Sequence, residues 1–168
     1  AHRRENLGTP LENICRGVLR LVQTNPNTEV IYPVHLNPAV RETVFQILGN
    51  DPRIHLIDPI DVEDMHNIMS QSYLVMTDSG GLQEEGPHFG IPVIVLRTET
   101  ERPEAVDAGT VVVAGTEEEN IYHIANELLN NTERYNQMAH AVNPYGDGKA
   151  SERIVHEILT WNAKHITE

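Results

Sequence analysis

The sequence predicts an α/β fold in which helices cover both faces of a mostly parallel, doubly wound, Rossmann-like sheet. Short apolar runs rich in β-branched residues alternate with amphipathic helical segments along the chain, over connections of about two to six residues. One run, residues 73–77, leads through the turn-forming residues 78–81 directly into a helical segment. In sheets of this kind, ligands bind outside the carboxyl ends of the strands.

The helices are predicted from apolar residues that recur every three or four positions. The first begins after Thr9-Pro10, since proline is favoured at the first position of a helix, and the second ends before Gly49. The predicted helices span residues 11–23, 40–48, 61–70, 82–89, 117–129, 133–141 and 149–164. The predicted strands are the runs at residues 29–34, 53–57, 73–77, 92–96 and 110–113. Four polar residues therefore stand at predicted carboxyl ends of strands: His35, Asp58, Ser79 and Arg97.

The composition excludes several classes of partner. The 168 residues suffice for one domain with a core, and 12 basic against 25 acidic residues give a formal charge of −13. This charge argues against a nucleic-acid or anionic-membrane surface, so an anionic ligand must meet a local concentration of cations.

Because no apolar run approaches the roughly 18 residues that span a bilayer and no signal peptide is visible, we expect a cytoplasmic protein. The single cysteine, Cys15, excludes an internal disulfide and is expected to be a buried structural thiol.

The turn after residues 73–77 has the features of an anion site. A helix that starts near Gly80 or Gly81 has backbone N–H groups without intrahelical partners, and its macrodipole places partial positive charge there. Two glycines let a phosphate approach the backbone closely. A phosphorylated ligand is therefore one interpretation, and an ordinary helix cap is the other, since neither the GxGxxG nor the P-loop pattern is present.

The phase of the same helix separates two adjacent acids. At about 100° per residue, Leu82 and Phe89 share the apolar face, Glu85 lies beside it and Glu84 points away. We therefore expect Glu84 to face water and Glu85 to lie near the phosphate site. A carboxylate in that position needs donors, which the vicinal hydroxyls of a ribose would supply.

Other candidate motifs give weaker signals. Residues 97–104 supply two arginines, although a solvated loop is the simpler interpretation. Residues 146–151 resemble a phosphate loop but lack the required glycine at Asn143 and the hydroxyl at Ala150. The nine histidines show no metal-ligand spacing, and no nucleophile with its base stands out, so we expect no metal ion, no cofactor and no nucleophilic catalysis.

Four motifs resemble those of the non-hydrolysing bacterial UDP-N-acetylglucosamine 2-epimerases and occur in the same order as in that family. They lie at residues 2–6, 77–85, 101–105 and 143–151. The resemblance spans the chain and implies the C-terminal half of a two-domain, B-type glycosyltransferase fold with the active site between the halves. It implies that residues 1–168 are a single nucleotide-sugar-binding domain, a fragment without the N-terminal domain. If residues 1 and 2 end a strand, the rest of that strand precedes this sequence.

The resemblance implies a UDP site built from five residues. Ser79, Gly80 and Gly81 would hold the diphosphate, Glu85 the ribose hydroxyls, and Arg102 the charge of the diphosphate. The family reaction inverts C2 of the sugar through elimination and re-addition of UDP, and it interconverts UDP-N-acetylglucosamine and UDP-N-acetylmannosamine. The proton-transferring carboxylates would lie in the other half, so the isolated chain is expected to be inactive.

Four further residues receive roles from the resemblance. His2 matches a catalytic-site histidine beside the diphosphate and sugar, and Met65 stands where the family, usually with Phe, reads uracil through backbone groups. Arg3 and His35 match positions that contact a second, allosteric UDP-N-acetylglucosamine. A role in polysaccharide biosynthesis and a full-length homodimer are also implied. Two alternatives remain open: the donor-binding half of a glycosyltransferase, and a nucleotide-sugar-binding module without chemistry.

Overall fold

The computed structural model describes the backbone of residues 3–165 and side chains up to residue 161. Within that range the chain forms a 3₁₀ turn, eight helices and five strands. The turn is Arg4–Asn6, and the helices are α1 Thr9–Thr24, α2 Pro38–Leu48, α3 Val62–Ser70, α4 Gly80–His88, α5 Pro103–Asp107, α6 Glu118–Asn130, α7 Thr132–Ala139 and α8 Ala150–His165. The strands are β1 Val30–Pro33, β2 Ile54–Ile57, β3 Val75–Thr77, β4 Val93–Val95 and β5 Val111–Val113.

All strand pairs are parallel, as predicted, but the strands form two ladders rather than one continuous sheet. One ladder joins β1 to β2 with Val30 opposite Ile54. The other has the order β3-β4-β5, with Val75 opposite Val93 and Val93 opposite Val111. Among the described strands, β1 and β3 are therefore each paired along one edge only, and this division of the sheet is not visible in the sequence pattern.

Strand β4 lies at the centre of the larger ladder and is buried on both faces. Val93 and Val95 pack with Val75, Val111 and Ala105 on one side. Ile94 packs on the other side with residues of α1 and α6. Because each face of the strand meets a helical layer, the apolar run does not alternate with polar residues, as expected for a parallel strand inside a doubly wound fold.

Helix α1 connects the two ladders through two different faces. Leu11, Cys15 and Val18 belong to the core above β1 and β2, which α2 completes. Ile14 and Leu21 belong to the core above β4, which α6 completes. The helix thus packs against both α2 and α6 and holds the two ladders in one fold.

Cys15 is fully buried in this helix, which confirms its predicted structural role. Burial raises the pKa of its thiol to about 12, so the reactive thiolate is scarce at neutral pH.

Helix α4 approaches the sheet closely because residue 86 is glycine. A β-carbon on Gly86 would collide with the side chain of Val93, which is completely buried in β4. Glycine at this position therefore lets α4 lie closer to the ladder than a residue with a side chain would allow.

Two elements were not predicted: the 3₁₀ turn at Arg4–Asn6 and the five-residue helix α5. Both are too short to show a period. Most predicted strands extend one or two residues beyond the observed ladder residues, which is the usual uncertainty at element ends. None of the helices in the described part of the chain has the length and apolar character needed to cross a bilayer.

Candidate functional site

The first turn of α4 lies at the carboxyl end of β3 and presents backbone donors. Ser79 is the N-cap residue, but its side chain makes no capping hydrogen bond to a described residue. Its own N–H donates to Thr77 Oγ1 at 3.0 Å, and the first helical bond runs from the Gln83 N–H to the Ser79 carbonyl. The N–H groups of the first turn are therefore available to a ligand, as predicted from the glycine turn.

A group of three arginines surrounds this helix start through the carboxylate of Glu101. Arg102 Nη1 lies 3.2 Å and Arg3 Nη2 lies 3.6 Å from Glu101 Oε1, and Arg97 forms an ion pair with Glu101 Oε2. A β-carbon on Gly80 would lie 2.9 Å from Glu101 Oε1 and 3.1 Å from Arg102 Cζ. In a chain of charge −13 these arginines are the cations that an anionic ligand requires, although Glu5, Glu84 and Glu101 also pair with them.

Glu85 lies on the other side of the helix start, as the helix phase predicted. Its Oε1 is 3.3 Å from the position of a β-carbon on Gly81, and its Oε2 is 3.1 Å from His66 Nε2 on α3. Met65 precedes His66 and packs, partly buried, with the apolar cluster that includes Leu82. The structure therefore brings the predicted ribose-binding acid and the predicted uracil-binding residue to one side of Gly81.

A cleft beside Glu85 has room for a ligand of moderate size. Its volume is about 370 Å³, and it is lined by His66, Glu85, His88 and Phe89. The rings of both histidines lie against Phe89, with centroid distances of 5.8 and 5.5 Å. A carboxylate at the mouth of an aromatic cleft can accept hydroxyl donors while flat groups pack on the rings.

The structure corrects the expectation that Glu84 simply faces water. Its Oε1 accepts a hydrogen bond from Arg102 Nε at 2.6 Å, although 42% of its side chain is exposed. The helix phase gave the direction of the Cα–Cβ bond correctly. The long side chain then turns back toward the N-terminus of α4, as helical side chains commonly do, and reaches the loop after β4.

The loop that carries Arg102 is tied to a buried amide of α4. Gln83 is fully buried, and its Oε1 accepts a hydrogen bond of 2.6 Å from Thr100 Oγ1. Thr100 Oγ1 in turn accepts from the Arg102 N–H at 3.1 Å. These bonds hold Thr100 and Arg102 against α4. The solvated-loop interpretation of residues 97–104 is therefore correct only in part, since residues 98, 99, 101, 103 and 104 are exposed.

The N-terminal segment is anchored over the same strand ends by Asp78. Its buried Oδ2 accepts from the Arg3 N–H at 2.8 Å and from Asn6 Nδ2 at 3.0 Å. Asn6 Nδ2 also donates to the Leu96 carbonyl at 3.1 Å. These bonds connect the segment to β3 and β4 and place Arg3 beside the arginine group, and sequence reasoning did not assign this role to Asp78.

The remaining predicted residues lie elsewhere. His35 follows β1 in the other ladder, where its Nδ1 accepts a hydrogen bond from the Asn37 N–H at 3.1 Å. His2 is outside the described residues. Residues 146–151, which resemble a phosphate loop in sequence, lead into the start of α8 instead. Asp147 accepts a hydrogen bond from the Lys149 N–H and pairs with both terminal nitrogens of Arg153. Within the described chain no group of three or more His, Cys, Asp or Glu residues is placed to hold a metal ion.

The parallel ladders are covered by helices on both faces, and a glycine-rich helix start lies at a strand end. These features define a Rossmann-like α/β protein with a candidate anion site. Residues 1–159 match the family described as UDP-N-acetylglucosamine 2-epimerase, and the chain belongs to this family. The resemblance predicted from the four motifs is thereby confirmed.

Relatives and solved structures agree on this family. The chain is 63% identical over 159 residues to a Thermotoga maritima relative and 54% identical to the UDP-N-acetylglucosamine 2-epimerase of Bacillus subtilis, covering 95% of this chain and 42% of each relative. The S. aureus MnaA–UDP structure matches with a TM-score of 0.92 and 53% identity, over 99% of this chain and 46% of that chain. The Neisseria meningitidis epimerase bound to UDP-GlcNAc matches with a TM-score of 0.90 and 44% identity, over 95% and 43%.

These matches confirm the predicted fold class. The chain spans less than half the length of the relatives it matches. The activity of the whole protein is therefore a proposal.

Proposed function

We propose that this chain supplies the UDP-binding half of a UDP-N-acetylglucosamine 2-epimerase. The observation that carries the proposal is the convergence at α4 of three features: uncapped N–H groups, the Arg102 guanidinium and the Glu85 carboxylate. Donors and positive charge suit a diphosphate, and a carboxylate next to them suits ribose hydroxyls. The relatives bound to UDP and to UDP-GlcNAc support the same ligand class.

The chemistry assigned to the site is stabilisation of a leaving diphosphate. In the proposed reaction the C2 proton is removed, the bond from C1 to UDP breaks, and UDP adds back after the proton returns to the opposite face of C2. Negative charge develops on the diphosphate as that bond breaks. The hydroxyl of Ser79, the N–H groups of Gly80 and Gly81 and the charge of Arg102 oppose this developing charge. Fixed donors and charges of this kind lower a barrier by preorganised stabilisation.

The other proposed roles follow the family resemblance. Met65 contacts uracil through its backbone, and His2 lies beside the diphosphate and sugar. Arg3 and His35 contact a second UDP-N-acetylglucosamine that acts as an activator. The full-length protein is proposed to be a cytoplasmic bacterial homodimer that serves polysaccharide biosynthesis.

We further propose that the rest of the active site comes from an N-terminal domain. Two features of the described residues support this. Within the described residues β1 and β3 each have one unpaired edge, which could accept an additional strand. Helix α8 also exposes an apolar face, with Ile154, Val155, Ile158 and Leu159 each more than half accessible.

The reaction is tested by incubating the full-length protein with UDP-N-acetylglucosamine in D₂O and following the sugar by NMR. Deuterium at C2 together with formation of the C2 epimer is the expected result. Sugar transfer that requires an added acceptor would identify a glycosyltransferase instead. Binding of UDP without either reaction would identify a module that only binds the nucleotide sugar.

Replacing Glu85 with alanine is expected to weaken UDP binding by about 1.5–3 kcal/mol, or roughly 10- to 150-fold, because hydrogen bonds from the ribose to a charged acceptor are lost. Calorimetric titration of the full-length protein measures the change. Glu42→Ala, an exposed acid on α2, is the control and should leave the affinity unchanged. Equal affinities of Glu85→Ala and the parent would place the ribose elsewhere.

A further inference from the structure

Two consecutive residues of α4 hold two different parts of Arg102. Gln83 fixes the backbone, since its buried Oε1 accepts from Thr100 Oγ1, which accepts from the Arg102 N–H. Glu84 fixes the guanidinium, since its Oε1 accepts from Nε at 2.6 Å. The backbone and the guanidinium of Arg102 are thus both held by α4, the helix whose first turn forms the candidate anion site.

The bond to Glu84 sets the position of the guanidinium over that turn. Arg102 Cζ and Nη1 each lie 3.1 Å from the place of a β-carbon on Gly80. Because Glu84 engages Nε, Nη1 lies on the side of Gly80, where it pairs with Glu101 Oε1 at 3.2 Å. A diphosphate over the helix start would meet Nη1 in place of that carboxylate. The hydrogen bond that Arg102 donates to Glu84 also raises the pKa of Arg102, so the guanidinium stays charged.

We propose that Glu84 is a positioning residue that directs the Arg102 guanidinium toward a diphosphate bound over the first turn of α4. This inference rests on the proposed function, because it needs an anionic ligand at that turn. It assigns to Glu84 a role different from that of Glu85, which meets the ribose directly.

Two effects of the Glu84 carboxylate oppose each other. Its negative charge repels a diphosphate, whereas its hydrogen bond orients the cation that attracts the diphosphate. The Glu84 side chain is 42% exposed, so water and salt screen its charge, while a directional bond of 2.6 Å acts only on Arg102. Orientation is therefore expected to outweigh repulsion.

The experiment is a double-mutant cycle on UDP affinity in the full-length protein, measured by calorimetry. Glu84→Ala is expected to weaken UDP binding about tenfold. In an Arg102→Ala background it is expected to cause no further loss, because residues that act through one contact are not additive. Glu84→Gln keeps an acceptor oxygen and removes the charge, and it should remain within about threefold of the parent. Thermal melting of each variant checks that all are folded.

Several outcomes would overturn the inference. Tighter UDP binding by Glu84→Ala would mean that its charge dominates. Additive losses in the double variant would mean that Glu84 acts independently of Arg102. A loss in Glu84→Gln as large as in Glu84→Ala would show that the acceptor oxygen is not what matters. Absence of UDP binding by the parent protein would overturn the proposed function itself. If the parent binds UDP, and Glu85→Ala weakens that binding while Glu84→Ala does not, only this inference is overturned.

Discussion

Arg102→Ala is expected to weaken UDP binding in the full-length protein by about 100-fold or more. The substitution removes charge-assisted hydrogen bonds to the diphosphate, each of about 1.5–3 kcal/mol. It also leaves Glu84 and Glu101 beside the site without the cation that now lies 2.6 and 3.2 Å from them. Glu84 then loses its cation, while Glu101 keeps Arg3 and Arg97. The site becomes more negative and repels the ligand, so the loss should exceed that of Glu85→Ala.

Comparison of UDP with uridine tests where Arg102 acts. Because the guanidinium meets the diphosphate in this proposal, Arg102→Ala should change uridine binding little. Arg102→Lys should show an intermediate loss of UDP affinity, since lysine keeps the charge without the planar fork of the guanidinium. Arg16→Ala is the matched control, as Arg16 is an exposed arginine on α1 paired with Glu12. Equal losses for uridine and UDP would contradict a diphosphate contact.

Ile94→Ala is expected to destabilise the 168-residue chain by about 2–5 kcal/mol. Ile94 is completely buried at the centre of β4, among Ile14, Leu21 and Ile121, so truncation removes apolar contacts and leaves a cavity that the surrounding strands and helices cannot close. The corresponding fall in melting temperature is about 5–15 °C for a chain of this size. Urea titration gives the free energy of unfolding directly.

Ile31→Ala provides the control for the strand itself. Ile31 has the same side chain in β1 but is 49% exposed, so its truncation loses strand propensity with little buried contact and should cost about 1 kcal/mol or less. Similar losses at positions 31 and 94 would show that the larger ladder is not the stable centre of the fold.

The features visible in the sequence were local ones. The β-branched run before Asp78, the two glycines and Glu85 all lie within thirteen residues, and they were enough to locate the helix start and the acid beside Gly81. The charge balance further required a group of cations, which the structure forms from Arg3, Arg97 and Arg102.

The features missed in the sequence depend on long-range contacts or on side-chain reach. Arg3 and Asp78 are 75 positions apart, and the sequence of neither segment indicates the hydrogen bond between them. The bond from Arg102 to Glu84 needs a bent side chain, which a helical wheel does not represent. The division into two ladders depends on strand edges, and hydrophobic pattern carries no information about which edge meets which neighbour.

The position of α1 between the two cores has a consequence for cooperativity. One face of the helix supports the β1–β2 ladder and another supports β4, and within the described residues the ladders are not paired with each other. A protein opens in units that share contacts, so each ladder can loosen while α1 stays docked on the other. We consequently expect the amides of α1 to exchange with solvent only after both supports are lost.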